Sequence, residues 1–306
     1  MLAVTRDHGI PVHHRIPHGS IVSVSTVKNF VSESMMELTD FGIASIMIVM
    51  DRGFYSKKNI LDLERYSLIG AMPATLSLYR ELLSESKGIE NSGNYVHSGN
   101  DAVFHMEHIV EGTGYIVFFS PKLRVEKIQA FYSDLSDMER ALHDLQEREF
   151  DRQNDMIRSL TEAAGKMLKY IDIRSLGKTF TYRLKHNYIQ ARTNRMGFFV
   201  LFTNTKLGAG DILSIYRQKD VVEKAFMHSK PCMHHLYARS EKVTRAKMFL
   251  SILGYSIMAM MASRSALTYQ QTEKIISGIN EVVYTNGSHS VVGLTKEQGI
   301  PGKGFH

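Results

Sequence analysis

One cysteine, Cys232, is all the thiol that this 306-residue chain carries. An internal disulfide is therefore excluded, and a lone thiol fits a reducing cytosol better than a secreted, stapled domain. The opening residues, MLAVTRDHGIPVHH, lack the continuous apolar stretch of a secretory leader. A run of about 20 apolar residues, enough to span a bilayer, is also missing. The longest uncharged stretch, Met248 to Ser263, is interrupted by Gly254 and three serines and is expected to form a buried helix. The expectation is a cytoplasmic protein with no membrane partner. No internal repeat or low-complexity block is present.

Apolar residues make up 43% of the sequence, enough to bury a substantial core as one large domain or two. The formal net charge is +6, but acidic residues are scarce in one third of the chain. From Lys169 to Leu250 there are 16 Lys and Arg against 5 Asp and Glu, a net of +11, so the remainder sums to −5. Charge gathered in this way suits either a surface that meets a polyanion, nucleic acid being the usual one, or a solvated basic face.

The first residues read as a hairpin, Met1–Thr5 and Ile10–Ile16, turning at Arg6-Asp7-His8-Gly9. A helix is expected over Ser25–Leu38. The apolar run IASIMIVM, 43–50, ends at Asp51-Arg52-Gly53 and reads as a strand covered on both faces, with Asp51 at the carboxyl end where open α/β sheets place ligands. Ser56 is expected to cap a helix, and Tyr66–Met72 reads as a further strand. A Ser/Gly/Asn-rich loop spans about 84–100. Strand-like VFHMEHIV and GYIVFFS follow, then a long amphipathic stretch over about 123–170. Strands are expected at 179–189 and 197–202, and helices at 211–228 and 240–263. Residues 87–195 read as an insertion within a sheet domain.

The segment from Tyr216 to Lys230 carries the most chemical information. On one helix, Tyr216, Lys219, Glu223 and Lys230 fall at offsets 0, 3, 7 and 14, close to a single face. A carboxylate among cations and a phenol suits phosphodiester chemistry. The acid holds a divalent metal, while the cations and hydroxyl hold backbone phosphates. An ordinary amphipathic helix with a Lys219–Glu223 ion pair accounts for the same spacing.

These residues resemble the Tyr-x2-Arg-x3-Glu-x6-Lys signature of insertion-sequence DDE transposases, with Lys219 in the Arg position and every spacing kept. Asp51-Arg52-Gly53-Phe54 resembles the second-Asp motif of the same family, Gly9-Ile10-Pro11 and Gly19 its upstream hairpin, and FFVLFTN, 198–204, the strand before its Glu helix. The resemblance implies an α/β fold: a ribonuclease H-like mixed sheet flanked by helices and interrupted by a β-plus-helical insertion. Its segments would be 1–86 (first part), 87–195 (insertion) and 196–306 (second part with C-terminal helices). It further implies two-metal chemistry with Mg²⁺ or Mn²⁺, Asp51 and Glu223 as catalytic metal ligands, and Tyr216, Lys219 and Lys230 as contacts to DNA. The partners would be transposon terminal repeats and target DNA, with a second copy or a full-length transposase as protein partner.

Two departures stand out. Lys219 replaces an Arg whose planar fork grips phosphate bidentately. The family's first Asp sits on a central strand before the hairpin, and the sequence begins at the hairpin; Asp7 reads as a turn residue. The expectation is a transposase fragment that is inactive alone. The alternative is a non-catalytic DNA-binding or subunit-binding remnant that inhibits or complements a full-length enzyme, and a nuclease of the same fold ranks third. His228, Cys232, His234 and His235 lack zinc-finger spacing. Gly302-Lys303 lacks the remainder of a P-loop. His13 and His14 fall on opposite faces of a strand, and Met258, Met260 and Met261 read as core filling.

Overall fold

The computed structural model describes residues 2–5, 9–15, 23–43, 45–98, 101–221, 223–224, 227, 240–286 and 289–296. Contacts divide the chain into two compact units, one of Met1–Ser45 with Arg217–His306 and one of Ile46–Tyr216.

The first unit opens with the expected antiparallel hairpin, β1 (Leu2–Val4) and β2 (Pro11–His14). Gly9 takes a positive φ of 65° and donates its N–H to the Thr5 carbonyl at 3.1 Å, the turn chemistry anticipated there. Helix α1 (Ser23–Asp40) buries Val27, Phe30 and Val31. The two histidines of β2 part as strand alternation requires. His13 lies 4.9 Å from Phe30 and 2.9 Å from the Glu37 carboxylate, whereas His14 lies against Phe249 at 6.2 Å.

The second unit is built on a six-stranded mixed sheet. It begins with β3 (Met47–Met50), α2 (Lys57–Asp62), β4 (Ser67–Ala71) and α3 (Ser77–Glu85). Next come β5 (Tyr95–Ser98), β6 (Asp101–Val110), β7 (Thr113–Phe119), α4 (Pro121–Gln146) and α5 (Gln153–Ala164). A small hairpin of β8 (Ile171–Leu176) and β9 (Thr179–Leu184) precedes α6 (His186–Thr193), β10 (Phe198–Thr203) and α7 (Ala209–Arg217). The strand order is β3-β4-β10-β7-β6-β5, with β3 and β4 parallel and the remaining pairs antiparallel. The class is therefore mixed α/β, as the sequence implies, and β6 and β7 belong to this main sheet.

Strands β7 and β10 are near-continuous apolar runs because they sit mid-sheet. Phe118, Leu201, Ile69 and Val103 are wholly buried, and Ile212 and Leu213 of α7 cover them. Phe118 stacks on Phe199 at 5.2 Å with 12° between the rings. Gly70 on β4 leaves room for the Phe202 ring, since a Cβ there would lie 2.4 Å from Phe202 Cζ. A second core joins Phe131, Leu135, Met138 and Leu142 of α4 to Met156 and Leu160 of α5 and to Ile171 and Phe180 of the small hairpin.

Several expectations are corrected. The strand expected over 43–50 is β3 alone, at the edge of the sheet, and Met47 is 40% exposed rather than covered on both faces. The long amphipathic stretch breaks after Gln146, because the chain is drawn to the small hairpin: Phe150 donates its N–H to Lys178 O at 3.0 Å. The strand expected over 179–189 ends at Leu184, and Ile189 is buried on α6. The loop expected over 84–100 contains β5.

The first unit resumes with α8 (Glu241–Arg264), capped by Ser240 accepting from Val243 N–H, and α9 (Tyr269–Ser277), opened by a Thr268/Gln271 capping box. Strands β11 (Ile279–Asn286) and β12 (His289–Lys296) form a final antiparallel hairpin. Among the described residues α8 is the one helix long and apolar enough to cross a membrane, and 22% of that apolar stretch is buried. The buried helix expected here is therefore corrected. Tyr255 and Ala259 pack with Leu2, Val4, Ile10 and Tyr269, while Leu253, Ile257, Met260 and Met261 remain exposed. Met260 and Met261 are thus not core filling.

Candidate functional site

The site begins where β3 gives way to a single 3₁₀ turn, Arg52–Phe54, preceded by Asp51 in an extended conformation. Asp51 makes no side-chain cap to that turn, and its residue is exposed. The loop beneath it is firmly tied. Ser56 Oγ accepts from Asn59 N–H at 2.9 Å, and the buried Asn59 amide donates to Phe54 O at 2.9 Å. The Tyr55 ring meets Phe202 edge-on at 5.3 Å. Anchors on both sides hold the Asp51 backbone at the carboxyl end of the strand, where the sequence places it.

Tyr216 sits in the last turn of α7, with its ring against the cluster around Ile212 and Leu213. Its hydroxyl donates to Asp51 Oδ1 at 3.4 Å, at the long end of hydrogen-bond range, across 165 positions of sequence. Lys219 and Glu223 meet through an ion pair of 2.9 Å, with the Glu223 side chain 66% exposed. Asp51 and Tyr216 belong to one compact unit, Lys219 and Glu223 to the other.

The helix expected over 211–228 is interrupted at Gln218-Lys219, while Lys219 and Glu223 keep the i,i+4 relation of a shared face, Glu223 N–H reaching Lys219 O at 3.5 Å. Helix α7 stops at Arg217, and Gln218 and Lys219 form a turn with Val221 N–H bonded to Gln218 O at 3.1 Å, an i+3 contact in place of the α-helical i+4. Helical structure resumes at Asp220. Lys230, Asp7, Gly19, His228, Cys232, His234, His235, Gly302 and Lys303 lie outside the described residues.

Two carboxylates are hard oxygen donors and suit Mg²⁺ or Mn²⁺ in kind. Among the described residues no group of three or more His, Cys, Asp or Glu side chains gathers as a metal cluster would.

Sequence reasoning passed over two cations, Lys127 on α4 and Arg192 on α6. Crowding by protein, and then the positive charges of Arg192 and Arg52, push the Lys127 amine below its ordinary value. Arg192 and Arg195 also act on the Tyr79 hydroxyl, but burial dominates there and raises that phenol to about 12. No local motif announces Lys127 or Arg192. The available signal was the regional excess of basic charge, which includes Arg192 and Arg195.

No protein-family model matches the chain, and no curated protein or solved structure matches it significantly.

Proposed function

We propose that this chain is the catalytic part of an insertion-sequence transposase that cleaves DNA at element ends and joins them to a target. The fold behind this reading is ribonuclease H-like, with β3 and β4 as its two parallel strands. Asp51 and Glu223 would hold the divalent ions. A bound pair of such ions supplies activation of water or a DNA 3′-hydroxyl and stabilisation of the leaving oxygen. Tyr216, Lys219 and Lys230 would bind backbone phosphates near the scissile bond and orient it.

One observation carries the reading: the first residue of the Tyr-Lys-Glu-Lys signature donates a hydrogen bond to the acid of the Asp-Arg-Gly-Phe motif. Two motifs chosen from sequence alone thus meet within one compact unit, as residues serving one site would. The edge position of β3 is also compatible, because the family's strand bearing the first acid would pair there.

A second reading has its own support. The Lys219–Glu223 ion pair is what an ordinary amphipathic helix forms. That favours a non-catalytic DNA-binding or subunit-binding protein. Calorimetric titration with Mn²⁺ separates the two. Asp51→Asn and Glu223→Gln should each weaken binding roughly tenfold or more, since each removes a ligand charge at little change in shape. Unaltered affinity in Glu223→Gln would remove it from the ligand set and leave the second reading.

A further inference from the structure

The end of the sheet where β3 and β7 stop and β10 begins gathers cations from three separated stretches of the second unit. Arg52 follows Asp51 directly. Helix α4 starts at this edge: Pro121 opens it, Ser120 Oγ accepts from Leu123 N–H, and Ser120 N–H donates to Gly197 O at 3.0 Å. Gly197 has a φ of +89°, and a Cβ there would fall 2.7 Å from Arg124 Cβ and 2.9 Å from Ser120 O. Bare backbone at residue 197 is therefore what lets α4 and the start of β10 close on one another. Ile189 and Met196, on either side of Arg192 in the chain, are buried in one core with Phe131 of α4, with Ile128 packed against it, so Arg192, in the last turn of α6, lies beside the part of α4 that carries Lys127 in its second turn.

The result is an arrangement that folding energetics alone does not favour. Arg52 and Arg192 are exposed, and the Lys127 amine, partly crowded by protein, feels both arginines. No side-chain hydrogen bond or ion pair joins any of the three to another described residue. Some surface cations of this unit do find acids, as Lys57 does with Glu111, Lys122 with Asp101 and Lys185 with Asp172. Like charges gathered without an ion pair to a described acid are complementary to a group with several anionic oxygens. Two guanidinium forks and an ammonium suit phosphate, which accepts bidentate bonds from the former and a point charge from the latter.

We propose that Arg52, Lys127 and Arg192 form a site for the phosphodiester backbone of DNA, beside Asp51. The proposal rests on the transposase reading above and deepens it, because the three cations lie outside both motifs. They contact backbone rather than bases, so they position the duplex without reading its sequence. Arg52 is the chain neighbour of Asp51, so a strand gripped here is led to the acid.

Two measurements on the full 306-residue chain test this. In the first, acetylation of the Lys127 amine is followed by peptide mass mapping with no anion, with inorganic phosphate and with a 30-base-pair duplex. The duplex should slow labelling strongly, and phosphate should do so only at far higher concentration. In the second, duplex affinity is measured against salt for the wild type and for a Lys127→Gln/Arg192→Gln double variant. The slope of log K against log salt should fall by about 2 in the variant. Protection by phosphate with no binding of duplex would overturn the proposal together with the transposase reading. Tight duplex binding with Lys127 unprotected would overturn this proposal alone. The labelling arm uses unaltered protein, so a variant that fails to fold leaves the test decisive.

Discussion

Strand β7 and helix α8 are both strongly apolar, and they meet opposite fates. Tyr115 to Phe119 are all buried, between strands on both sides and with α7 among the elements covering that core. Helix α8 is longer and similarly apolar, yet Leu250, Leu253, Ile257 and Met260 stand at 63%, 43%, 47% and 40% exposure. Apolar composition sets how much surface a segment would gain by hiding. Whether it hides depends on neighbours, and a strand carries its neighbours with it through the hydrogen-bond ladder. A helix satisfies its own backbone and can stand exposed on most of its circumference.

This contrast can be broken by mutation. Phe118→Ala removes a wholly buried ring stacked on Phe199 and should destabilise the sheet unit by about 3–5 kcal/mol in denaturant unfolding. A loss similar to that of a surface change would mean the strand is not packed as described. Tyr79 sharpens the contrast from the polar side. Its hydroxyl donates to Phe198 O at 3.1 Å, and its phenol is raised to about 12 from the ordinary 10. The raised value favours the neutral phenol in the fold, so its contribution is complete below pH 10. Between pH 10 and about 12 the unfolded chain ionises first and stability falls, by up to about 2–3 kcal/mol for a two-unit shift. The advantage of wild type over Tyr79→Phe should shrink across that window, and a constant difference would contradict the burial. At the small end, Leu253→Gln on α8 should shift stability by no more than about 0.5 kcal/mol, because the side chain gives up little contact. A large loss would show Leu253 to be covered in the protein in solution.

The same contrast explains what was legible in the sequence. Strand β10 was readable because mid-sheet burial favours an unbroken apolar run, and the Ser56 cap because it is a local choice among few residue types. The break after Gln146 was not readable: the helical period of Leu135, Met138, Leu142 and Leu145 points onward, and the chain leaves it for a backbone bond to Lys178, 28 positions after Phe150. Helix α6 was hidden because it buries a single residue, Ile189, which extends the apolar pattern of the strand before it. At the site, Asp51 and Tyr216 were found through spaced motifs, and their contact shows only in three dimensions. The turn at Gln218-Lys219 was invisible, since every residue around it is compatible with helix. Lys127 and Arg192 were invisible for a different reason: their meeting depends on the close approach at Gly197 and on sheet order, which no single window of sequence contains.

Gly70 and Phe202 occupy one volume between them, the aromatic ring lying where a side chain on the neighbouring strand would stand. Neither position is therefore free to vary by itself. Growth at 70 requires shrinkage at 202, and a smaller residue at 202 leaves a void beneath Tyr55 that only a larger residue at 70 fills. Relatives that differ at one of these positions are expected to show a matching change at the other.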